Sequence, residues 1–280
     1  VRSLGEVARG IGTRAVLSEH THEIRSLAIS DDSQLIASGS CAELVEDACQ
    51  RGEFIIWNLE QSDIIWQMDD SIHEGWITDL AFSLDATRLL VSSSDGTVAL
   101  WNVSDGNVEQ PFAHEGTVNA VAYHPDGESV ATAGANGLIH LWDVATGDKI
   151  RTFAGHGEND AVAEADTEEV SKAVNDIVFN LDGSELLSGS DDTTVILWDT
   201  ETGDIIQTYE QVNEDAIGIQ FVDFNHANSQ IHASHTLNLI WDKETAGTPQ
   251  LINAPLRISG LAVGTEGVLY YGLHDYVFIE

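Results

Sequence analysis

Short alternations of apolar and polar residues, not helical stripes, organise this chain. Residues 173–203, AVNDIVFNLDGSELLSGSDDTTVILWDTETG, show the recurring unit most fully. It reads as an alternating strand, a tight turn, a second strand, another turn, a third strand ending in Trp198-Asp199, and a last turn. Period-two patterning over a few residues, bounded by Asp, Gly and Ser, predicts β-strands and excludes a helical fold.

The unit repeats. Strands ending in tryptophan occur at Trp57, Trp101, Trp142, Trp198 and Trp241, and Ile279 holds the same slot in a sixth copy. Successive spacings are 44, 41, 56, 43 and 38 residues. A period of 40–45 with Trp-Asp endings predicts one four-stranded sheet per copy. A second register agrees. Leu80, Val121 and Ile177 each lie 21 residues before their tryptophan, while His20, His73 and His114 each lie seven before Leu27, Leu80 and Val121.

With these markers the sequence resembles the WD-repeat (WD40) family over nearly all of residues 12–280. The resemblance implies a β-propeller and a structural hydrogen-bonded set in each blade: a His before the first strand, a Ser or Thr in the second, an Asp in the next turn, and the Trp. Blade four carries His156, Ser188, Asp192 and Trp198; blade three His114, Thr132, Asn136 and Trp142; blade two His73, Asp95 and Trp101, with Val91 at the hydroxyl position. Blades five and six keep the alternation but few markers.

The expected architecture is all-β, one propeller domain over 1–280. Its blades run approximately 23–68, 73–112, 114–154, 156–209, 214–252 and 256–280, the last completed by an N-terminal strand in 12–18. Thr13-Arg14-Ala15-Val16-Leu17 resembles an outermost strand, and closure removes the sheet edges that template aggregation. A seven-bladed or incomplete ring is the alternative.

Charge alters the functional picture. Asp and Glu number 47 against 11 Lys and Arg, a net of −36, and only Lys149, Lys172 and Lys243 are lysines. Such a chain repels phosphate backbones, which argues against nucleic acid and favours partners with basic patches. An acidic or salt-adapted surface is the plainer reading. No apolar run is long enough to span a membrane. The start at Val1, with no signal-like stretch, reads as a processed form or a fragment.

Two insertions interrupt the register. The Leu27-to-Trp57 interval is nine residues longer than 21, and the excess contains both cysteines, Cys41 and Cys49. A disulfide pinning a polar loop is expected, and with it an oxidising, extracytoplasmic setting; two free thiols are the alternative. The second insertion, 14 residues between His156 and Ile177, is rich in carboxylates over 158–169, where calcium is a candidate ligand against a plain acidic loop. The Asp-rich turns elsewhere lack a calcium-loop series. His232 and His235, three apart in a strand, point to opposite faces and do not make a metal pair.

In the WD-repeat family both insertions would project from one rim. Around that rim Arg25, Thr78, Asn119 and Asn175 occupy equivalent positions, and Trp76 stands outside the register; these five are the candidate binding residues. Ser, His and Asp recur once per blade, as structure does and catalysis does not, and no GxSxG or HExxH motif occurs. The expected function is therefore a non-catalytic scaffold for a protein or peptide. An architectural module of an extracellular or surface assembly, and a small-ligand or enzymatic site in a central channel, are the alternatives.

Overall fold

The structure, a computed structural model, describes residues 19–61, 63–69, 72–157, 172–211, 218–225, 227–234, 238–245, 247–252, 260–263, 269–273 and 276–279, with side chains as far as Gln250 except those of Asp69 and Asn238. These residues form five four-stranded antiparallel sheets and one of three strands, with no helix. Sheet 1 comprises β1 (Ser26–Ile29), β2 (Leu35–Val45), β3 (Ala48–Asn58) and β4 (Asp63–Asp69). Sheet 2 comprises β5 (Ile77–Phe82), β6 (Arg88–Ser93), β7 (Thr97–Asn102) and β8 (Val108–Ala113). Sheet 3 holds β9 (Val118–Tyr123), β10 (Ser129–Gly134), β11 (Ile139–Asp143) and β12 (Lys149–Phe153). Sheet 4 holds β13 (Val174–Phe179), β14 (Glu185–Ser190), β15 (Thr194–Asp199) and β16 (Ile205–Glu210). Sheet 5 is β17 (Phe221–Phe224), β18 (Gln230–Ser234), β19 (Asn238–Asp242) and β20 (Gln250–Ile252). Sheet 6 is β21 (Gly260–Val263), β22 (Leu269–Leu273) and β23 (Tyr276–Ile279). Each sheet is a simple meander, and the first strand of each lies against the first strand of the next, from β1 through β5, β9, β13 and β17 to β21.

Alternation divides each sheet between two cores. Leu89 and Val91 of β6 pack with Phe54 and Ile56 of sheet 1, whereas Leu90 between them packs with Val121, Val130 and Trp142 of sheet 3. The same division recurs between sheets 3 and 4, around Ile139, Phe153, Ile177 and Trp198, and between sheets 4 and 5, around Leu197, Tyr209, Val222 and Trp241. Each sheet–sheet seam is thus its own hydrophobic core, as sheets packed face to face require.

The tryptophans sit on the face toward the preceding sheet, and their indole N–H groups need buried acceptors. In sheet 4 the Trp198 Nε1–H donates to Ser188 Oγ (2.8 Å), Ser188 Oγ lies 2.7 Å from His156 Nε2, and His156 Nδ1 lies 3.0 Å from Asp192 Oδ2. With the imidazole proton on Nδ1, every donor in this chain has an acceptor. Burial alone would raise the Asp192 pKa, but the His156 contact and two donors from Thr194 bring it down to about 2.

Sheet 1 has an equivalent set that the sequence did not disclose. Trp57 Nε1–H donates to Ser38 Oγ (2.9 Å), which meets His20 Nε2 (2.7 Å), and His20 Nδ1 meets Glu53 Oε2 (2.6 Å). A glutamate in the middle of β3, where its pairing with β4 begins, takes the aspartate's place because the β2–β3 turn, where an aspartate would sit, has moved outward to residues 46–47.

Sheets 2 and 3 differ from the expected sets. Trp142 Nε1–H reaches Thr132 Oγ1 (2.9 Å), but both His114 nitrogens are buried without a hydrogen-bond partner. Instead His114 packs against His140 (ring centroids 5.1 Å apart), which itself bonds Thr152, and Asn136 caps its own turn. In sheet 2, Val91 offers Trp101 no oxygen, so Trp101 Nε1 is unpaired, while His73 Nδ1 takes Thr97 Oγ1 (2.7 Å) and Asp95 holds the 95–97 turn.

Two substitutions test this pattern. Ser188→Ala strands both Trp198 Nε1–H and His156 Nε2 and is expected to cost about 1–3 kcal/mol of unfolding free energy. Val91→Thr, nearly isosteric, gives Trp101 its missing acceptor and is expected to raise the urea midpoint, where a buried hydroxyl without a partner would lower it.

Candidate functional site

The rim where first strands begin is built from sheets 1 and 2. Arg25 sits just before β1, with its N–H bonded to Gly39 O at 2.9 Å. Its guanidinium carbon lies 3.6 Å from the centroid of the Trp76 ring, a cation–π contact across the seam. Trp76 is half-buried and fixed by backbone bonds to Ser94, whose Oγ accepts the Trp76 N–H at 3.0 Å. Glu23 lies 3.4 Å from the Arg25 guanidinium on its exposed side. Two residues singled out separately in the sequence therefore form one unit.

Beside it rises the β2–β3 arm. β2 pairs with β1 only as far as Gly39, and β3 with β4 only from Glu53 onward, so residues 41–52 form a two-stranded ribbon beyond the sheet. The expected polar loop is a strand extension. Its tip, Glu46-Asp47, has both residues at positive φ (50° and 66°), as a two-residue hairpin turn that follows strand twist requires. Cys41 and Cys49 are joined by a disulfide, Cα–Cα 5.9 Å, and Cys41 is fully buried. Isolated two-stranded ribbons are marginal, and a cross-link over so short a loop contributes roughly 2–3 kcal/mol. The arm's base is anchored at two points: His22 Nδ1 on Cys41 O (2.8 Å) and Gly52 N–H on His73 O (2.6 Å).

Thr78, Asn119 and Asn175 are placed differently from a ligand-facing ring. Each donates to a carbonyl of the next sheet: Thr78 Oγ1 to Val118 O (2.7 Å), Asn119 Nδ2 to Val174 O (3.0 Å) and Asn175 Nδ2 to Ile219 O (2.8 Å). They are seam staples, because a first-strand side chain at this register reaches the neighbouring backbone before it reaches solvent. The following residue adds a second prong in two seams. Asp79 Oδ2 accepts the Val121 N–H and Asp176 Oδ2 the Val222 N–H, both at 2.8 Å. The Asp after Thr78 and after Asn175 was the sequence signal for this pair. Burial pushes the Asp79 pKa up to about 7 against the pull of two backbone N–H groups. Burial, reinforced by Asp79 and Asp223, holds Asp176 well above the usual carboxylate range.

On the opposite rim, a cleft of about 440 Å3 lies between sheets 3 and 4, lined by His124, Asp126, Arg151, Asp182, Asp199 and Glu201. Its cation is committed to structure: Arg151 Nη1 donates to Thr202 O (2.7 Å) and Nη2 to Glu201 O. Among the described residues no group of three or more His, Cys, Asp or Glu is placed to hold a metal, and no helix is long and apolar enough to cross a membrane. His232 is buried in β18, with a pKa lowered to about 4 by burial; His235, the acidic insertion at 158–169 and the strand expected in 12–18 lie outside the described residues.

The family described as nucleolar protein 10-like, N-terminal domain, matches residues 77–270, and the family described as WD domain, G-beta repeat, matches residues 12–43. The chain is similar to apoptotic protease-activating factor 1 of Homo sapiens, 34% identical over 102 residues, and of Rattus norvegicus, 30% identical over 103 residues. Each match covers 34% of this chain and 7% of the relative, so the chain spans only a small part of the length of these curated relatives.

Asp79 gives the seams a pH signature. Its folded pKa lies above the unfolded value of 3.8, so its contribution is complete below pH 3.8 and is lost as pH rises toward about 7. His140 and His232, whose pKa values burial lowers to about 4, contribute the opposite slope over much of that range, so the readout is a difference. In paired denaturant titrations the unfolding free energy of the parent protein minus that of Asp79→Asn is expected to fall as pH rises from 3.8 toward about 7. Asp192, shifted the other way, contributes fully above pH 3.8, and its stabilisation is lost as pH falls from there toward about 2.

Proposed function

Since the chain belongs to the WD-repeat β-propeller family, the family of the nucleolar protein 10-like N-terminal domain, we propose that it is a non-catalytic docking scaffold that holds a protein or peptide on the rim of sheets 1 and 2. Propellers of this family are generally interaction scaffolds, and the repeated Ser, His and Asp residues here serve Trp bonding and turns. The observation that carries the reading is the Arg25–Trp76 stack beside the cross-linked arm. A half-buried aromatic under a guanidinium, on a rigid base and flanked by a projecting ribbon, is the composition of an interface anchor. Basic segments suit the surrounding carboxylates, Glu23, Glu43, Glu46 and Asp47.

We further infer that 1–280 forms one six-bladed ring in which the sixth sheet, completed by the strand in 12–18, covers the outer face of sheet 1. Leu27 and Ile29 support it. They are 65% and 62% exposed, whereas Leu80, Val121, Ile177 and Val222, in the place of Leu27 in sheets 2 to 5, are each 4% exposed against the preceding sheet. An apolar face of this kind is covered in a stable monomer.

Peptides selected on the protein from a random display library provide the probe. Trp76→Ala and Arg25→Ala are expected to weaken their binding about ten-fold or more, with unchanged far-UV circular dichroism; unchanged affinity in both variants refutes the rim reading. For the ring, Leu27→Glu is expected to lower the melting temperature and promote association, whereas an unaltered, monomeric Leu27→Glu variant refutes closure over that face.

A further inference from the structure

The arm of residues 41–52 is the one described element whose order rests on a reversible covalent bond. Beyond Gly39 and Glu53 it pairs with no further strand among the described residues, its pairing shifts register at Cys41/Glu43 and again at Glu43/Leu44, and its tip places two non-glycine residues at positive φ. Each feature weakens the ribbon as an autonomous hairpin. Against them stand the disulfide and the two anchors at the base, His22 on Cys41 O and Gly52 on His73 O. The two sulfurs are unequally placed: Cys41 is fully buried on the sheet, and Cys49 is part-exposed on the ribbon. A part-exposed cysteine is the side from which a disulfide is opened.

We propose that the Cys41–Cys49 bond is a redox latch: oxidised, it holds the arm in the form that docks the partner at the Arg25–Trp76 rim, and reduction by a dithiol releases the arm and lowers that affinity. This rests on the rim reading above for its consequence, though not for the latch itself. A thiolate of the dithiol attacks Cys49 Sγ, the Sγ–Sγ bond breaks, and the electron pair leaves on Cys41 Sγ, which takes up a proton. The second thiol of the reductant, as its thiolate, then attacks the sulfur bonded to Cys49. Cys49 leaves as a thiolate and is protonated, and the reductant departs as its own disulfide. Two electrons pass from reductant to protein. The rest of the fold does not depend on the bond. The Trp57–Ser38–His20–Glu53 set and the core between sheets 1 and 2 lie inside the base of the arm and keep their own contacts.

Hydrogen exchange read by mass spectrometry, on the intact chain with and without tris(2-carboxyethyl)phosphine, tests the latch without any partner. The Cys41→Ser/Cys49→Ser double variant serves as a second route to the open state. The expected result is exchange on the order of ten-fold faster or more across residues 42–51, with peptides from β6, β7, β10 and β11 unchanged. Unchanged protection in the arm overturns the latch. Faster exchange throughout sheets 2 and 3 overturns it too, since the bond would then be a staple of the whole fold. Library peptides selected on the oxidised protein are then measured against both forms. A loss of affinity on reduction that Trp76→Ala reproduces supports the coupling. Equal affinity for both forms overturns the coupling, and binding that ignores Trp76 and Arg25 overturns the rim reading alone.

Discussion

The structure depends on burying both faces of nearly every sheet. Neighbouring residues on one strand, Leu89, Leu90 and Val91, belong to different cores, and a slip of one residue would exchange the contents of two seams. This is why third strands read as nearly unbroken apolar runs, TVALW and TVILW, where a sheet with one wet face would alternate strictly. It also leaves little room for polar atoms. An indole N–H carried into a seam must meet an oxygen there, and the chain from Trp198 through Ser188 and His156 to Asp192 passes that requirement outward to a turn that water can reach.

Between sheets the backbone edges of the first strands have the same need, and the staples from Thr78, Asn119 and Asn175 answer it. Among the described seams from sheet 1 to sheet 5, that between sheets 1 and 2 is the exception. Arg25 and Ser26 stand where Thr78-Asp79 and Asn175-Asp176 stand elsewhere, and Ser26 Oγ is left without a partner. That seam is held instead by the Arg25–Trp76 stack, by Trp66 Nε1–H on Val103 O (2.8 Å) and by the base of the arm. A repeat that gives up its standard bonds at one position has freed that position for something else. In this chain the departure coincides with the aromatic anchor and the cross-linked projection.

What could be read from sequence follows from how local each feature is. The sheets and their order were legible because tryptophan spacing survives in five copies and strand alternation in all six. The set around Trp198 was legible because all four residues keep register. The set around Trp57 was not, although His20 and Ser38 were in place, because its acid is Glu53 and arrives from a strand lengthened by an insertion. Conversely, His114 and Thr132 kept register yet do not hydrogen-bond: Thr132 serves Trp142, and the His114 ring packs on His140 of the adjacent strand. The roles of Thr78, Asn119 and Asn175 depend on where a neighbouring sheet puts its carbonyls, and no single repeat records that distance. The stacking of Arg25 on Trp76 was hidden for the same reason: the two lie 51 residues apart in two different repeats.

The acidity of the chain is likewise not one property. Asp85, Asp182 and Asp199 accept hydrogen bonds from their own turns, which hold their carboxyls below the ordinary range. Asp79 and Asp176 sit in seams where burial does the reverse. The first group stays ionised because the turns demand an anion as acceptor; the second tolerates a proton because the seam needs an oxygen more than a charge. Carboxylates of both kinds are committed to the fold, so the net charge overstates what is offered to a partner. The carboxylates that remain for recognition are those whose oxygens serve no turn or seam, and on the rim of sheets 1 and 2 these include the exposed side chains of Glu46 and Asp47, whose backbone makes the tip of the arm.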